Sequence, residues 1–322
     1  MDSYLKHLST FINIRTDFGF KKIFGTPVNK HILIRFLNAL LGDDIRIEDV
    51  TYLDKEMQPK DSDGKRIIYD VYCTSQNGDH HFILEMQNEY KTPFEERVLY
   101  YTSRIISEQG RQRWNYALKP VISVVLTGFD FSHMKPALIH DVKLMDVNTG
   151  DILTDKMRIL FLSLKYLGDR SWQECNSEIE KIMYLIKNMD KMDKESDAYK
   201  SKEYQDLFDA SETANMAGEE MVTYSNSLQR LLDDERWREE VREEVKQEVR
   251  QEVKQEVRQE VKQEVRQEVK QEVWAEGIEE GRTEGIEETA LKMIKYGISD
   301  DMIMICTDLS ESDIAKLRAK LN

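Results

Sequence analysis

From residue 241 to residue 273 the chain repeats a four-residue unit, Glu-Val-Lys/Arg-Gln, with valine at 241, 245, 249 and every fourth position onward. The composition is strongly helix-forming and no turn residue interrupts it, so the repeat predicts one long helix rising about 1.5 Å per residue. Four residues advance the helix by roughly 400°, so each stripe drifts about 40° per repeat. Four spiral stripes result: valine, basic, glutamine and acidic. Neighbours at i,i+4 are of the same kind, and like charges at that spacing weaken an isolated helix. A heptad coiled coil needs a period of about 3.5 residues, so a four-residue period holds no continuous seam. Two uses remain open. One is a solvated spacer. The other is an assembly helix that meets neighbouring chains over short stretches of valine, with opposite charge stripes in contact. Near-identical repeats also suggest a duplicated tract whose length can vary without touching a core.

The rest of the chain sorts around this segment. Residues 1–170 read as an α/β domain with a mixed central sheet and flanking helices, 171–235 as a helical extension, 236–288 as the repeat helix and 289–322 as a small helical module. Phe20 and Phe24 share a helical face, as do Asp17 and Lys21. Ile32, Leu33, Phe36, Leu37, Leu40 and Leu41 form an amphipathic helix that Gly42 can end. Strands are expected at Ile45–Leu53, Arg66–Thr74, His81–Met86, Val121–Leu126 and Arg158–Leu164, with a helix from about Phe94 to Arg113. Ile179, Ile182, Met183 and Ile186 form a helical stripe, and Lys187–Lys202 reads as a loop. Ser310 with Asp313 resembles a capping box. The last three helices fit a packing module better than a DNA reader, because their acids and bases balance outside Lys316, Arg318 and Lys320.

The net charge of -15 disfavours general adhesion to polyanions, though local patches decide nucleic-acid binding. Three widely spaced cysteines argue against a disulfide framework and against a zinc site. No apolar run of membrane-spanning length is present. The expectation is a reduced, soluble, cytoplasmic protein with no membrane partner.

Asn77-Gly78 lies between two strand-like runs and signals a two-residue hairpin turn. That turn sets Asp70 directly opposite Glu85, with Cβ atoms about 4.5–5.5 Å apart. Two like charges at this separation repel by roughly 3 kcal/mol at an effective dielectric near 20. A divalent cation between them would remove the penalty. Gln87 shares that strand face, diagonal to Asp70. Two hard carboxylates suit Mg²⁺, which accepts one or two of them alongside waters and phosphate oxygens. The pattern therefore points to metal-assisted phosphodiester hydrolysis. The alternative is a pair of solvated acids on an exposed hairpin. Asp17 is either a third acid for the same site or a first-turn acid favoured by the helix dipole, and Glu56 is a weaker candidate for that job. Arg97, Arg104 and Arg111 line one helix side and can hold DNA phosphates, with Lys21 and Lys22 adding contacts from the first helix. A solvated basic face is the other reading, favoured for Arg111 near the helix end. His81 points with Glu85 but toward the turn, and reads as structural.

Asp70 followed by Glu85-Met-Gln87 after a hairpin resembles the D…(D/E)-x-K signature of the PD-(D/E)XK nuclease superfamily. The opening Asp17-Phe-Gly-Phe-Lys-Lys-Ile-Phe-Gly25 resembles the start of its Rpn branch, the recombination-promoting nucleases or putative transposases. The aromatic and arginine-bearing helix after Gln87 and the Gly-Ile-Glu-Glu-Gly281 tail are also similar to that branch. The resemblance covers residues 10–165 well and the last fifty loosely. It implies a restriction-endonuclease-like fold, DNA as the partner and Mg²⁺ or Mn²⁺ as the cofactor. Carried over by position, Asp70 and Glu85 are the metal ligands, Asp17 is an added acid, and Gln87 stands where the superfamily usually has lysine. A glutamine can orient a water only through its amide, which shifts more of the activation to the metal. The expected function is a metal-dependent DNA endonuclease tied to recombination or transposition. The alternative is a catalytically weak DNA-binding or assembly protein on the same core, forming homo-oligomers through its helical tail.

Overall fold

A computed structural model describes residues 9–42, 44–57, 66–110 and 117–321. They form two compact units, residues 1–235 and 236–322.

The first unit is built on a six-stranded mixed sheet in the order β1-β4-β5-β6-β8-β7. Its strands are β1 (Val50–Tyr52), β4 (Val71–Ser75), β5 (His81–Gln87), β6 (Val121–Thr127), β7 (Ile139–Met145) and β8 (Ile152–Ser163), and the short β2 (Glu56–Met57) and β3 (Ile67–Ile68) pair separately. β5, β6 and β8 are parallel, and the other pairings are antiparallel. All seven residues of β6 are buried, as expected for a parallel central strand covered on both faces. Alternation along the strands sorts the core. Cys73, Phe82, Leu84, Val124 and Leu162 face the large cluster that holds helices α1 (Asp17–Phe24), α2 (Lys30–Leu41) and α4 (Glu178–Asn188). Tyr72, Ile83, Val125 and Phe161 face α3 (Phe94–Glu108), through Ile105, Phe94 and Val98.

The opening motif owes its glycine to close approach. Thr16 caps α1 by accepting from the Gly19 amide at 2.9 Å, and a Cβ on Gly19 would lie 2.3 Å from the carbonyl oxygen of Asn13. Phe20, Phe24 and Phe36 then pack as tilted ring pairs across α1 and α2.

The extension packs into the same core. It contains α4, α5 (Asp197–Lys200), α6 (Gln205–Ser211) and the start of α7 (Gly218–Lys295). Phe11 bridges Glu212, the amide of Asn13 donates to the Tyr224 hydroxyl at 2.8 Å, and the amide of Phe18 donates to Ser227 Oγ at 3.1 Å. Residues 187–202 differ from the expected loop. They hold a short 3₁₀ turn and α5, because Met189, Met192 and Ala198 are buried and anchor a segment that looks charged in sequence. The β7–β8 hairpin is longer than the strand expected at 158–164. Its outer half is exposed, so no alternation marked it.

In the second unit, α7 carries the repeat, with Val245 to Val269 about half exposed at each repeat. Gly297, at φ 76°, follows the end of α7. Helices α8 (Asp300–Thr307) and α9 (Glu311–Leu321) pack Ile303, Ile314 and Leu317 against Ala290 and Ile294.

Candidate active site

The strands β4 and β5 carry the expected register, with Val71 facing Leu84 and Cys73 facing Phe82. The turn that sets it differs from the two-residue form. The Gly78 amide donates to the Ser75 carbonyl at 2.7 Å, and the Ser75 amide to the His80 carbonyl at 3.0 Å. Only Gly78 of the Asn-Gly pair has positive φ, at 65°. A four-residue loop, Gln76 to Asp79, therefore closes the hairpin, with Ser75 Oγ accepting from the amides of Asp79 and His80. Both loops leave the pairing unchanged, because each adds an even number of residues to the same centre.

Asp70 and Glu85 meet one position beyond the last pair. Oδ2 of Asp70 accepts from the Met86 amide at 3.1 Å, and the Asp70 amide approaches Oε1 of Glu85 at 3.4 Å. Each carboxylate is thus held by the other strand's backbone or lends its own backbone in return. Burial pushes the Glu85 carboxyl well above the usual range, and the nearby Asp70 charge pushes it further. Burial also raises Asp70, against the pull of the Met86 amide and of Lys21. The Lys21 ammonium lies 3.4 Å from Oδ1 of Asp70 and also bonds Asp17, one turn earlier on α1. Burial works against that ammonium, but its two acids raise its pKa overall.

Both acids line a cleft of about 300 Å³ with Asp17, Gln87 and Arg97. Alternation on β5 sets Glu85 and Gln87 on the α3 face with Ile83. Gln87 accepts through Oε1 from Arg97 Nη2 at 2.7 Å and donates from Nε2 to the Glu89 carbonyl at 2.8 Å. The remaining expected cations sit elsewhere. Lys22 is bonded to Glu220 at 2.7 Å, and Arg104 pairs with Glu108 at 3.1 Å on α3; neither lines the cleft. Arg111 lies outside the described residues. Glu56 is paired with Arg66, and His81 bonds the Tyr72 hydroxyl at 2.9 Å toward the turn end of the sheet.

The sequence reading missed one wall. The first turns of α7 bring Ser227, Arg230 and Asp234 to the cleft, where Lys91 reaches Asp234 at 3.7 Å. Arg15, opposite Glu235 at 3.2 Å, completes that side. The charged positions at 230 and 234 gave no signal, because every helical turn beyond them is charged as well.

The donor set fits a hard divalent ion. Desolvation raises the proton affinity of both half-buried carboxylates, the Asp70 charge adds to that of Glu85, and a cation would relieve both. Among the described residues no group of three or more His, Cys, Asp or Glu side chains is arranged to hold a metal. No described helix is long and apolar enough to cross a membrane.

No curated protein matches the chain. The family model described as PD-(D/E)XK nuclease family transposase matches residues 14–241, from the residues that precede α1, through the hairpin and α3, to the cleft-lining turns of α7. On that match, over more than half its length, this chain belongs to the PD-(D/E)XK nuclease family transposases.

Proposed function

We propose that the chain is a divalent-metal-dependent DNA endonuclease acting in recombination or transposition, with Asp70 and Glu85 as the metal ligands. The observation that carries this reading is the facing pair of carboxylates, both raised by burial and both opening on one cleft. Nucleases of this family generally use divalent metals, and the two hard oxygen donors favour Mg²⁺, with Mn²⁺ as a substitute. The bound ion would lower the pKa of a water and polarise the phosphodiester. The chain's own residues hold the substrate. Lys21 and Arg97 supply charge beside the carboxylates, and Arg15, Lys91 and Arg230 line the wall along which a phosphate backbone can run. Asp17 serves mainly to hold Lys21, since it bonds that ammonium and is itself well exposed. Such a protein works where DNA is, and three free thiols suit a reducing cytoplasm.

The test is cleavage of plasmid DNA with Mg²⁺ by the wild type and by Asp70→Asn and Glu85→Gln, each checked for folding by circular dichroism. Loss of cleavage in both variants is expected. Equal cleavage by all three would leave a DNA-binding or assembly protein on a nuclease core as the better reading.

The repeat helix supports self-association of a particular sense. Around α7 the acidic stripe lies about 60° to one side of valine and the basic stripe about 100° to the other. A two-fold axis along the helices sets the acidic flank of one copy against the basic flank of the other. A two-fold axis across them sets acid against acid. Parallel pairing of two copies follows, over about three valines at a time before the stripe drifts away.

A further inference from the structure

Arg97 differs from the other half-buried arginines of its unit. Arg15 holds Glu235, Arg104 holds Glu108 and Arg158 holds Asp141. Among the described residues no carboxylate forms an ion pair with Arg97, and its charge is felt by Glu85 only at longer range. It has one hydrogen bond, from Nη2 to the neutral amide oxygen of Gln87, and its guanidinium rests 5.5 Å from the centre of the Phe94 ring. A guanidinium has five N–H donors in a planar fork that matches phosphate oxygens, so most of that fork is uncommitted. An amide partner fixes an arginine without cancelling its charge, which a carboxylate partner would do.

The same bond defines what Gln87 does. Its carbonyl is turned to Arg97 and its amino group to the Glu89 backbone, so both ends of the amide are anchored in the protein. A lysine at this position would remove the amide oxygen that accepts from Arg97 and set a like charge beside the guanidinium, which loosens the hold on Arg97.

We infer that Gln87 is a positioning residue for Arg97, and that Arg97 is the group that takes the non-bridging oxygens of a DNA phosphodiester beside Asp70 and Glu85. Gln87 then acts on the substrate only through Arg97. The ligand's identity rests on the nuclease reading, whereas the linkage between the two side chains does not.

The experiment measures affinity of the full chain for a short DNA duplex by fluorescence anisotropy, without divalent ion, so that cleavage plays no part. Arg97→Met should weaken binding about tenfold and lower the slope of log affinity against log salt by about one. Gln87→Met should weaken it about threefold to tenfold, and adding it to Arg97→Met should cost less than about twofold more. Gln87→Lys, although it adds a positive charge, should bind more weakly than the wild type. Gln87→Glu should do the same, by neutralising Arg97 in place. Melting temperatures check folding, and Arg97→Lys, which keeps the charge and loses the fork, should recover only part of the affinity. Additive losses from the two methionine variants, tighter binding by Gln87→Lys, or no duplex affinity in the wild type would overturn the inference. A chain that shows the coupling but does not cut DNA with Mg²⁺ would keep the inference and sink the nuclease reading. A chain that cuts through Asp70 and Glu85 with additive losses would do the reverse.

Discussion

The Lys21 ammonium lies 3.4 Å from Oδ1 of Asp70, and Asp17 holds it from the other side. Two acids about fifty residues apart in sequence, one at the start of α1 and one just before β4, thus share one cation next to Glu85. Removing it leaves Asp70 and Glu85 less compensated. Lys21→Met is expected to lower Mg²⁺-dependent cleavage by about a hundredfold, the cost of losing one aimed donor in an enclosed site. It should also lower the melting temperature of the metal-free chain at neutral pH. Cleavage assays and thermal melts check both, and a variant matching the wild type in each would show the ammonium to be idle.

The raised carboxyls make stability depend on pH in a defined direction. Asp70 and Glu85 bind protons more tightly when folded than when unfolded. Their contribution is therefore fully present below the ordinary carboxylate range and is lost as pH rises through their raised folded values. Mg²⁺ competes with those protons. The rise in melting temperature on adding Mg²⁺ should be small at pH 4.5 and larger at pH 8, and Glu85→Gln should flatten the difference. A Mg²⁺ effect independent of pH would count against these two acids as the ligands.

Two glycines should respond to alanine with opposite signs. Gly281 sits inside α7 with open space around the site of a Cβ, so Gly281→Ala should stabilise the helix by about 0.5–1 kcal/mol. Gly78 has φ 65° in the hairpin loop, so Gly78→Ala should destabilise the first unit by about 1 kcal/mol. Helix content by circular dichroism reads the first, and urea unfolding reads the second.

Parallel pairing of α7 is open to cross-linking. In a Cys306→Ser background, with Cys73 and Cys175 buried, a single cysteine at Val249 should form a disulfide dimer under mild oxidation. An antiparallel pair centred on the repeat would instead link Val249→Cys with Val265→Cys in a mixture. High salt should weaken association, because the flanking contacts are exposed charges. A monomer at all salt concentrations by sedimentation would leave α7 a solvated spacer.

How much was legible in sequence varied with the range of each interaction. The hairpin register follows from a turn signal between two strand-like runs, the amphipathic faces of α1 and α2 from a period of 3.6 residues and β6 from an unbroken apolar run, and the structure carries each of them. The hairpin loop was misread in detail, since Asn-Gly fits two loop lengths and Ser75 Oγ selects the longer one by capping two amides. The strand β7 was not legible, because an exposed edge strand such as Ile139–Met145 shows no apolar alternation. Arg104 shared a helix side with Arg97 in sequence, yet it turns to Glu108 rather than to the cleft.

That Asp70 and Glu85 face one another follows from a turn between two strand-like runs, and that residues beyond 241 form a charged helix follows from a four-residue repeat, because in both each residue constrains its near neighbours in the chain. Packing brings Lys21 to Asp70, Arg97 to Gln87 and the first turns of α7 to the wall of the cleft. Those contacts join segments that no period connects, and they exist only once the sheet and its helices have packed on a common core.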